Sequence, residues 1–363
     1  MARRLQSDRV LFGAVVGLVL FGAVMVFSAS AVMAGDRYGS ENYFLIRQLA
    51  WAAAGMIALA VLMRVDYHRL ASPLVVFPAL ALELILLLLV LFVDRSHNTH
   101  RWFRLGVVSF QPSEFAKLVL VLFLAFFLDL RKGQVNDPKH TLAPIAMISG
   151  IMAMLVFCGR DLGTTLALGM ILAAMLFCAG LHLRYFAAAA APALAALWVV
   201  VFHTQYRHDR ILAFLNPYAD PLGKGFQILQ SYIAVATGGI TGMGLMEGKQ
   251  KLFFLPEPQT DFIFAVVGEE LGLIGTVAVM AVFALILVRG LRASAASRDD
   301  FGRLLAVGLT VMIVGQALVN MSVVLGLLPT KGIPLPFVSY GGSSLLVNLV
   351  AVGILLNISQ QAS

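Results

Sequence analysis

Three short stretches of the sequence combine charged side chains with helix-breaking residues, and each is a candidate for chemistry. The first runs from Arg101 to Lys117 and contains Arg104 and the run Gln-Pro-Ser-Glu-Phe-Ala-Lys. Pro112 suits the first turn of a helix, and Glu114 then shares a helix face with Lys117. This pair either stabilises a helix end or lines a polar cavity, in which Lys117 would meet an anionic substrate.

The other two stretches place single aspartates directly before apolar segments. Asp161, in Gly-Arg-Asp-Leu-Gly-Thr-Thr, is suited to cap a helix by accepting hydrogen bonds from the N–H groups of its first turn. Asp261 ends the run Pro-Glu-Pro-Gln-Thr-Asp. A carboxylate there is either another helix cap or a general base that accepts a proton from a substrate. Position alone leaves these two interpretations open.

Two further features surround these motifs. Leu327 to Ser344 is rich in proline, glycine and hydroxyl residues, which indicates a rigid turn rather than a helix. Non-helical backbone at membrane depth is tolerated only where protein or a wet cavity satisfies it, so this segment is predicted to form the wall of a substrate site. Glu269 and Glu270 lie deeper in an apolar segment, and one of them is expected to pair with a buried base or a polar residue such as Gln316 or Asn320.

The elements that position these residues are transmembrane helices. The chain has 363 residues, of which 60% are hydrophobic and 12% charged, whereas soluble domains are about 45–50% apolar and about 25% charged. We therefore predict an all-α, polytopic membrane protein forming one domain over residues 1–363. A span needs roughly 20 apolar residues. Ten spans are predicted, at 10–33, 43–63, 73–93, 112–129, 142–158, 163–180, 186–202, 262–288, 304–325 and 342–358.

The charge distribution gives an orientation to this bundle. An even number of spans puts both termini on one side, and the positive-inside rule puts that side in the cytoplasm. The basic residues of the short outer segments are few: Arg37, Arg95, Arg101, Arg104, Arg160 and Lys331. The long connection at 203–261 is predicted to lie outside as an ordered cap over an outward-facing cavity, with an amphipathic helix near 225–236.

Other function classes find no support in the sequence. The net charge is +7, but the basic residues are scattered through inter-helix loops and form no stripe for nucleic acid. The histidines lack metal-ligand spacing, and no Walker loop or dinucleotide fingerprint is present. A nucleic-acid-binding protein and an ATP-driven pump are therefore not indicated.

Together these segments resemble the SEDS family (shape, elongation, division and sporulation), whose members include FtsW, RodA and SpoVE. The resemblance runs along nearly the whole chain, and Val267 to Gly272 and Leu328 to Gly332 are more similar to FtsW than to RodA. It implies a peptidoglycan glycosyltransferase in the bacterial inner membrane that polymerises lipid II on the outer face. Two positions depart from the family's pattern: Gln259 stands where histidine is common, and Arg160 where proline is common.

The resemblance also implies roles for individual residues. The family's essential acid corresponds to Asp261, and we expect it to act as the base in a single inverting displacement. Glu114 and Lys117, which match the family's Pro-Ser-Glu and Lys positions, are expected to be catalytic as well. Asp161, which matches the family's Asp-x-Gly-Thr motif, is expected to bind substrate. The remaining candidates for substrate binding are Arg104, Arg207, Arg210, Lys249, Thr260, Ser339 and Ser343.

The expected cofactor and partners follow from the same resemblance. Either basic side chains or a bound divalent cation (Mg²⁺ or Mn²⁺) would neutralise the departing pyrophosphate, and no organic cofactor is expected. The expected partners are lipid II, a class B penicillin-binding protein that crosslinks the product, and other divisome or elongasome membrane proteins. The alternatives are a flippase that moves lipid II across the membrane and a catalytically silent scaffold for the crosslinking enzyme.

Overall fold

The computed structural model describes residues 8–94, 99–105, 108–202, 204–252 and 254–361. Twelve α-helices lie within these ranges: α1 Arg9–Tyr38, α2 Tyr43–Leu62, α3 Pro73–Val93, α4 Pro112–Leu130, α5 Ala143–Cys158, α6 Leu162–Cys178, α7 Leu183–Phe202, α8 Gln205–Leu215, α9 Phe226–Gly238, α10 Ile263–Ala296, α11 Asp300–Val324 and α12 Gly342–Gln361. A small antiparallel hairpin, β1 Phe103–Leu105 and β2 Val108–Phe110, interrupts the otherwise helical chain between α3 and α4.

Ten of these helices match the ten predicted spans, which confirms the predicted fold class. Over the described residues, eight helices are long and apolar enough to cross a membrane: α1, α2, α3, α5 with the turn before it, α7, α10, α11 and α12. The other two predicted spans are shorter or more polar. Helix α6 has 17 residues, and α4 carries Glu114, Lys117 and Asp129 within its 19 residues.

The helix boundaries follow from residues that suit helix starts. Pro73 and Pro112 occupy the first turns of α3 and α4, where the missing N–H costs nothing. Asp8 caps α1 by accepting hydrogen bonds from backbone N–H groups of its first turn, and Asp299 caps α11 in the same way. These local signals explain why the predicted starts agree with the observed ones within a few residues. The predicted ends are less accurate, since α1 continues beyond 33 to Tyr38 and α10 beyond 288 to Ala296.

The connections between helices gather at two opposite ends of the bundle, as an even number of spans requires. At one end Asp8 forms an ion pair with Arg289 at 2.5 Å, and Gln361 donates a hydrogen bond to Asp66 at 3.1 Å. The first and last described helices therefore begin and end on the same side. Arg95, one of the outer basic residues counted for the predicted orientation, lies outside the described residues. The same is true of Arg3 and Arg4, which belong to the basic residues predicted to lie inside.

The buried core is formed mainly by α11 and α12. Helix α11 packs between α10, α4 and α6, while α12 packs along α2. Small residues allow some of these close approaches, as in other membrane bundles. A Cβ atom at Gly290 in α10 would lie 2.1 Å from the Oγ1 atom of Thr310 in α11, so only glycine fits.

The long connection before α10 is ordered, as predicted, and it supplies the cap. It contains α8 and α9, and the predicted amphipathic helix at 225–236 corresponds to α9. One face of α9 is buried against α10, and Ser231 donates a hydrogen bond to the backbone carbonyl of Val324 at the end of α11 (2.9 Å). The cap is therefore held by the two helices that continue into the bundle.

Helix α10 is broken near its N-terminal end. Gly272 has φ 65° and ψ −158°, a conformation that only glycine adopts readily. The residues after α9 pack into this break, where Leu273 and Ile274 donate backbone hydrogen bonds to Gly239 and Ile240. The cap and the start of α10 are thus one packed unit.

A glycine contact tests how tightly this unit is packed. A Cβ atom at Gly238 would lie 1.9 Å from the backbone carbonyl oxygen of Gly268 in α10. We expect Gly238→Ala to lower the free energy of unfolding by about 1–3 kcal/mol, because neither backbone can yield. Gly150→Ala is the matched control, since nothing lies within 4 Å of that position. Unfolding in detergent measures both, and equal values for the two variants would contradict the packing described.

Candidate active site

A cavity of about 1380 Å³ opens at the end of the bundle that holds the hairpin, the cap and the loop before α12. Its lining includes eight of the predicted site residues: Arg104, Glu114, Lys117, Asp161, Arg207, Arg210, Thr260 and Asp261. These residues come from four separate parts of the chain, so the folded bundle brings the sequence motifs together. The basic side chains outnumber the acidic ones among the described lining residues, eight to four.

Asp261 lies at the turn that leads into α10, and its backbone is held from two sides. Asn320 of α11 donates hydrogen bonds to the carbonyl oxygens of Asp261 (2.8 Å) and Ile333 (2.7 Å). The loop before α12 passes close to the carboxylate, since a Cβ atom at Gly332 would lie 2.8 Å from its Oδ2 atom. The backbone is fixed while the carboxylate faces the cavity.

The turn before Asp261 is also tied to the loop before α12. Tyr340 donates its backbone N–H to the carbonyl of Gln259 at 2.8 Å. Ser339 donates its hydroxyl to the carbonyl of Thr260 at 2.5 Å and accepts the N–H of Leu335 at 2.8 Å. These bonds satisfy the non-helical backbone of the proline- and glycine-rich loop, and they make that loop a wall of the cavity, as the sequence predicts.

The other acids that line the cavity are each engaged by a donor. Asp161 caps α6 through the N–H of Thr164 (3.1 Å) and accepts side-chain hydrogen bonds from Gln111 (3.0 Å) and Ser113 (2.9 Å). Glu257 accepts a hydrogen bond from the Gln259 side chain at 2.9 Å. The predicted cap role of Asp161 is therefore confirmed, and its carboxylate also joins α4 to α6.

Glu114 and Lys117 form the ion pair that their spacing predicts. The Lys117 Nζ atom lies 2.9 Å from Glu114 Oε2 and 2.5 Å from Gln316 Oε1, and only 2% of the lysine is exposed. Gln316 in turn donates to the carbonyl of Pro334 at 2.8 Å. The pair lines the cavity and also stabilises α4 against α11, so both interpretations of these two residues fit the structure.

Asp261 differs from these acids in its surroundings. Among the residues that the structure describes, no side chain and no backbone N–H donates a hydrogen bond to its carboxylate, although Arg210 and Arg101 act on it electrostatically. Burial, with a smaller contribution from the negative charge of Glu257, raises the pKa of Asp261 to about 6. A carboxylate with free oxygens and a raised pKa is suited to accept a proton near neutral pH.

Three cations stand on the cap side of the cavity. Arg210 donates a hydrogen bond to the carbonyl of Thr330 at 2.9 Å, and the guanidinium of Arg207 lies 4.7 Å from the centre of the Phe157 ring. Burial and the positive charges of both arginines lower the pKa of Lys331 to about 8. Like charges held this close indicate a site that binds an anion.

Three predicted site residues do not line the cavity. Ser339 holds the turn before Asp261, and Ser343 accepts the backbone N–H of Gln111 at 3.0 Å. Lys249 is exposed, and its backbone N–H donates to Glu269 at 2.7 Å. Serines in a glycine-rich loop suggest substrate contacts, but these hydroxyls are used by backbone groups instead.

The acid pair in α10 meets a buried base, as predicted, but the two residues suggested as examples, Gln316 and Asn320, are wrong. Neither Gln316 nor Asn320 bonds to these acids, because both amides hold the loop before α12. Glu270 instead forms an ion pair with Lys251 at 2.6 Å. The true partner lies in the cap, and the spacing of the predicted spans gives no indication of it.

Some cavity residues were missed as site candidates or noted for other reasons. The sequence predicts Lys331 only as a basic residue of an outer segment, although this residue lies in the loop that is predicted to form the cavity wall. Arg47 lies within a predicted span, and an ionisable residue there is a candidate by that fact alone. Of the two positions that depart from the family's pattern, Arg160 lines the cavity, whereas Gln259 is buried and does not.

The donor set does not form a preorganised metal site. In the described ranges, no group of three or more histidine, cysteine, aspartate or glutamate side chains is arranged to hold a metal ion. Divalent cations of the magnesium type require several oxygen ligands in defined geometry. The lining arginines and lysines give the cavity its excess of positive charge, and the divalent cation stays a prediction.

A helical bundle with a charged, capped cavity at one end defines a polytopic membrane protein with an enclosed polar site. The chain belongs to the cell cycle protein family of FtsW, RodA and SpoVE, whose sequence pattern matches residues 8–363.

Similar proteins match along their full length. A probable peptidoglycan glycosyltransferase FtsW from Geobacter metallireducens is 45% identical and covers 98% of this chain and 95% of its own. The stage V sporulation protein E of Bacillus subtilis is 41% identical, with 94% of both chains covered.

Solved structures show the same fold. A chain from a peptidoglycan synthase complex, described for its coordination of polymerization and crosslinking, superposes with a TM-score of 0.80 and 30% identity over 98% of both chains. The rod shape determining protein RodA of Thermus thermophilus superposes with a TM-score of 0.72 and 28% identity, covering 98% of this chain and 97% of its own.

The raised pKa of Asp261 predicts a pH-dependent stability. The folded protein holds a proton on Asp261 between about pH 4 and pH 6 that the unfolded chain has released, so the ionised carboxylate disfavours folding above pH 6. We expect Asp261→Asn to raise the free energy of unfolding by about 1–3 kcal/mol at pH 8 and by much less at pH 4. Unfolding in detergent at both pH values measures this, with Asp36→Asn as an exposed control. A gain that is equal at both pH values would contradict the raised pKa.

Proposed function

We propose that this chain is a peptidoglycan glycosyltransferase that polymerises lipid II into glycan strands. The observation that carries the proposal is the contrast among the four acids that line the cavity. Of these four, only Asp261 has a carboxylate to which no described residue donates a hydrogen bond. The names of the FtsW relatives and the family match support the same activity.

The chemistry requires one base and one anion site. The donor sugar of lipid II is α-linked to a pyrophosphate and the product linkage is β, so a single in-line displacement inverts the anomeric carbon. Asp261 would accept the proton of the acceptor 4-hydroxyl as that oxygen attacks. General-base help of this kind is typically worth about 10²- to 10⁴-fold in rate.

The leaving pyrophosphate would be received by the cations on the cap side. Arg207, Arg210 and Lys331 lie close enough to one another to lower the pKa of Lys331, and an anion between them would relieve their mutual repulsion. Electrostatic stabilisation of charge that develops in the transition state is often the largest catalytic contribution. The polyprenyl tails would remain in lipid between the helices while the head groups meet in the cavity.

The structural ion pair would set the opposite wall. Lys117 is buried and bonded to Glu114 and Gln316, so its role would be to hold positive charge near the donor sugar rather than to move a proton. Asp161, bonded to α4 and α6 residues, would fix the same wall.

We place the cavity on the outer face of the bacterial inner membrane, with both termini in the cytoplasm. The distribution of basic residues between the two ends of the bundle supports this orientation. The likeness to a chain of a synthase complex supports a crosslinking enzyme, a class B penicillin-binding protein, as the partner. The FtsW-like motifs favour a role in cell division.

The central test is the loss of the base. We expect Asp261→Asn to lower glycan-chain formation from purified lipid II by at least about 10²-fold, in the presence of the cognate partner. Asp36→Asn, an exposed aspartate at the end of α1, is the matched control and should remain active. Unchanged polymer yield in Asp261→Asn would remove this carboxylate as the base.

The rival function predicts a different product. A flippase moves labelled lipid II across liposomes without forming polymer, whereas the enzyme makes polymer from substrate already outside. Wild-type protein that translocates lipid II and never polymerises it would favour the flippase.

The anion site predicts an alkaline limit to activity. Lys331 loses its charge above about pH 8, so wild-type turnover should fall there, while Lys331→Arg should move the fall to higher pH. Lys331→Met should be slower by about 10²-fold, because one stabilising donor of transition-state charge is removed. The pH dependence of kcat for the three proteins measures this. An alkaline limb that is the same in wild type and Lys331→Arg would contradict the assignment.

A further inference from the structure

Two buried acids in α10 are bonded to the cap rather than to the catalytic cavity. Glu269 and Glu270 lie directly before the break at Gly272, and each is at most 1% exposed. Neither lines the cavity around Asp261. Buried charges in a membrane protein are costly and need a specific reason.

Glu270 joins three separate elements. Its carboxylate forms an ion pair with Lys251 of the cap at 2.6 Å and accepts the hydroxyl of Ser28 in α1 at 2.7 and 2.8 Å. It also accepts the backbone N–H of Met246 at 3.1 Å. Lys251 completes the triangle by donating to Ser28 at 2.9 Å.

Glu269 holds the same stretch of cap by its backbone. Its carboxylate accepts the N–H groups of Lys249 (2.7 Å) and Gln250 (3.1 Å). The carbonyl oxygens of Glu269 and Glu270 accept the N–H groups of Met243 and Gly244, both at 3.0 Å. Residues 243–251 are therefore bonded to one turn of α10 along their whole length.

The ion pair joins the two ends of the chain segment that contains the candidate base. Lys251 and Glu270 are 19 positions apart, and Asp261 lies near the middle of the segment between them. One end of this segment is fixed by the ion pair, and the turn at Asp261 is fixed by Asn320 and Ser339. Without the ion pair, the last bonds between the cap and α10 before the turn at Asp261, among the described residues, would be those that Lys249 and Gln250 donate to Glu269.

We propose that Lys251 and Glu270 are positioning residues for the base, forming a clamp that fixes where the Asp261 carboxylate stands in the cavity. The clamp is defined by Ser28, Lys251 and Glu270, and it rests on the function proposed above. A buried ion pair is a weak source of net stability, because desolvation offsets much of the attraction and an apolar pair often does as well. Its contribution here is the defined geometry that three partners in three elements impose.

The test uses two substitutions and a matched control. Glu270→Gln and Lys251→Met each break the ion pair, while Lys224→Met removes a lysine of the same cap that pairs with Asp209 at 2.8 Å on the exposed surface. Steady-state kinetics with purified lipid II and the cognate partner are measured across pH. We expect kcat to fall about 10- to 100-fold in both clamp variants, since small displacements of a catalytic group have effects of that size. KM should stay within about twofold, and the control should match wild type.

The pH profile separates positioning from general destabilisation. Asp261 faces Glu257 on its own segment, Arg210 of α8, Arg101 before β1 and Asp161 at the start of α6, and burial raises its pKa to about 6. In the clamp variants the Asp261 carboxylate is expected to be more hydrated, which lowers its pKa. The acidic limb of kcat, the decrease in kcat toward low pH, should therefore move below pH 6. Loss of folded protein alone would lower the amplitude and leave this limb in place.

The outcomes are distinguishable. If the wild type is active and the clamp variants keep its kcat and its acidic limb, the clamp is wrong while the proposed function stands. A wild type that makes no glycan would overturn both. Should the single variants fail to fold, Lys251→Met/Glu270→Met replaces the pair by apolar side chains: a folded, slow enzyme with a shifted limb supports the clamp, and wild-type kinetics overturn it.

Discussion

Desolvation of a single carboxylate is the constraint around which the site is arranged. Asp261 is held where burial and the charge of Glu257 disfavour its ionised form, and none of the described residues donates a hydrogen bond to it. The same bundle gives a donor to every other acid at the cavity, including Asp161 and Glu114. A fold selected only for stability would have paired this acid as well, since an unpaired buried charge is expensive. We infer that the carboxylate of Asp261 lacks a donor because its oxygens must stay available to a substrate.

Much of the remaining structure serves to keep that carboxylate in place. Asn320 and Ser339 fix its backbone turn, and the acid pair of α10 fixes the cap segment that precedes it. The proline- and glycine-rich loop before α12 is rigid because its backbone groups bond to Gln316 and Asn320, which explains why those amides were unavailable to Glu269 and Glu270. A catalytic group accelerates a reaction more when it is held close to the reactive orientation. The fixed backbone of Asp261 limits the positions of its carboxylate while the oxygens stay available to a substrate.

The sequence predicts the helices well and the contacts between them less well. Apolar length and helix-start residues such as Pro112 are local signals, so the ten spans and the cap helix near 225–236 agree with the structure. The charges that face one another across the bundle depend on packing, so the sequence predicts a buried base or polar partner for this acid pair without identifying Lys251, and it does not single out Arg47. Asp261 could be singled out from its motif, but its lack of a donor is a property of the surrounding loops, which no local pattern encodes.

The role of Asp261 as the base is tested most directly by the single-turnover rate of glycosidic bond formation as a function of pH. Enzyme in excess over lipid II isolates the chemical step from substrate binding and product release. If Asp261 is the base, the wild-type rate falls below about pH 6, where Asp261 takes up its proton. The Asp261→Asn enzyme is then slow and shows no such decrease at acidic pH. A wild-type rate that is flat between pH 4.5 and pH 8 (roughly the range over which this base must titrate), or an Asp261→Asn enzyme with the same limb, would contradict it.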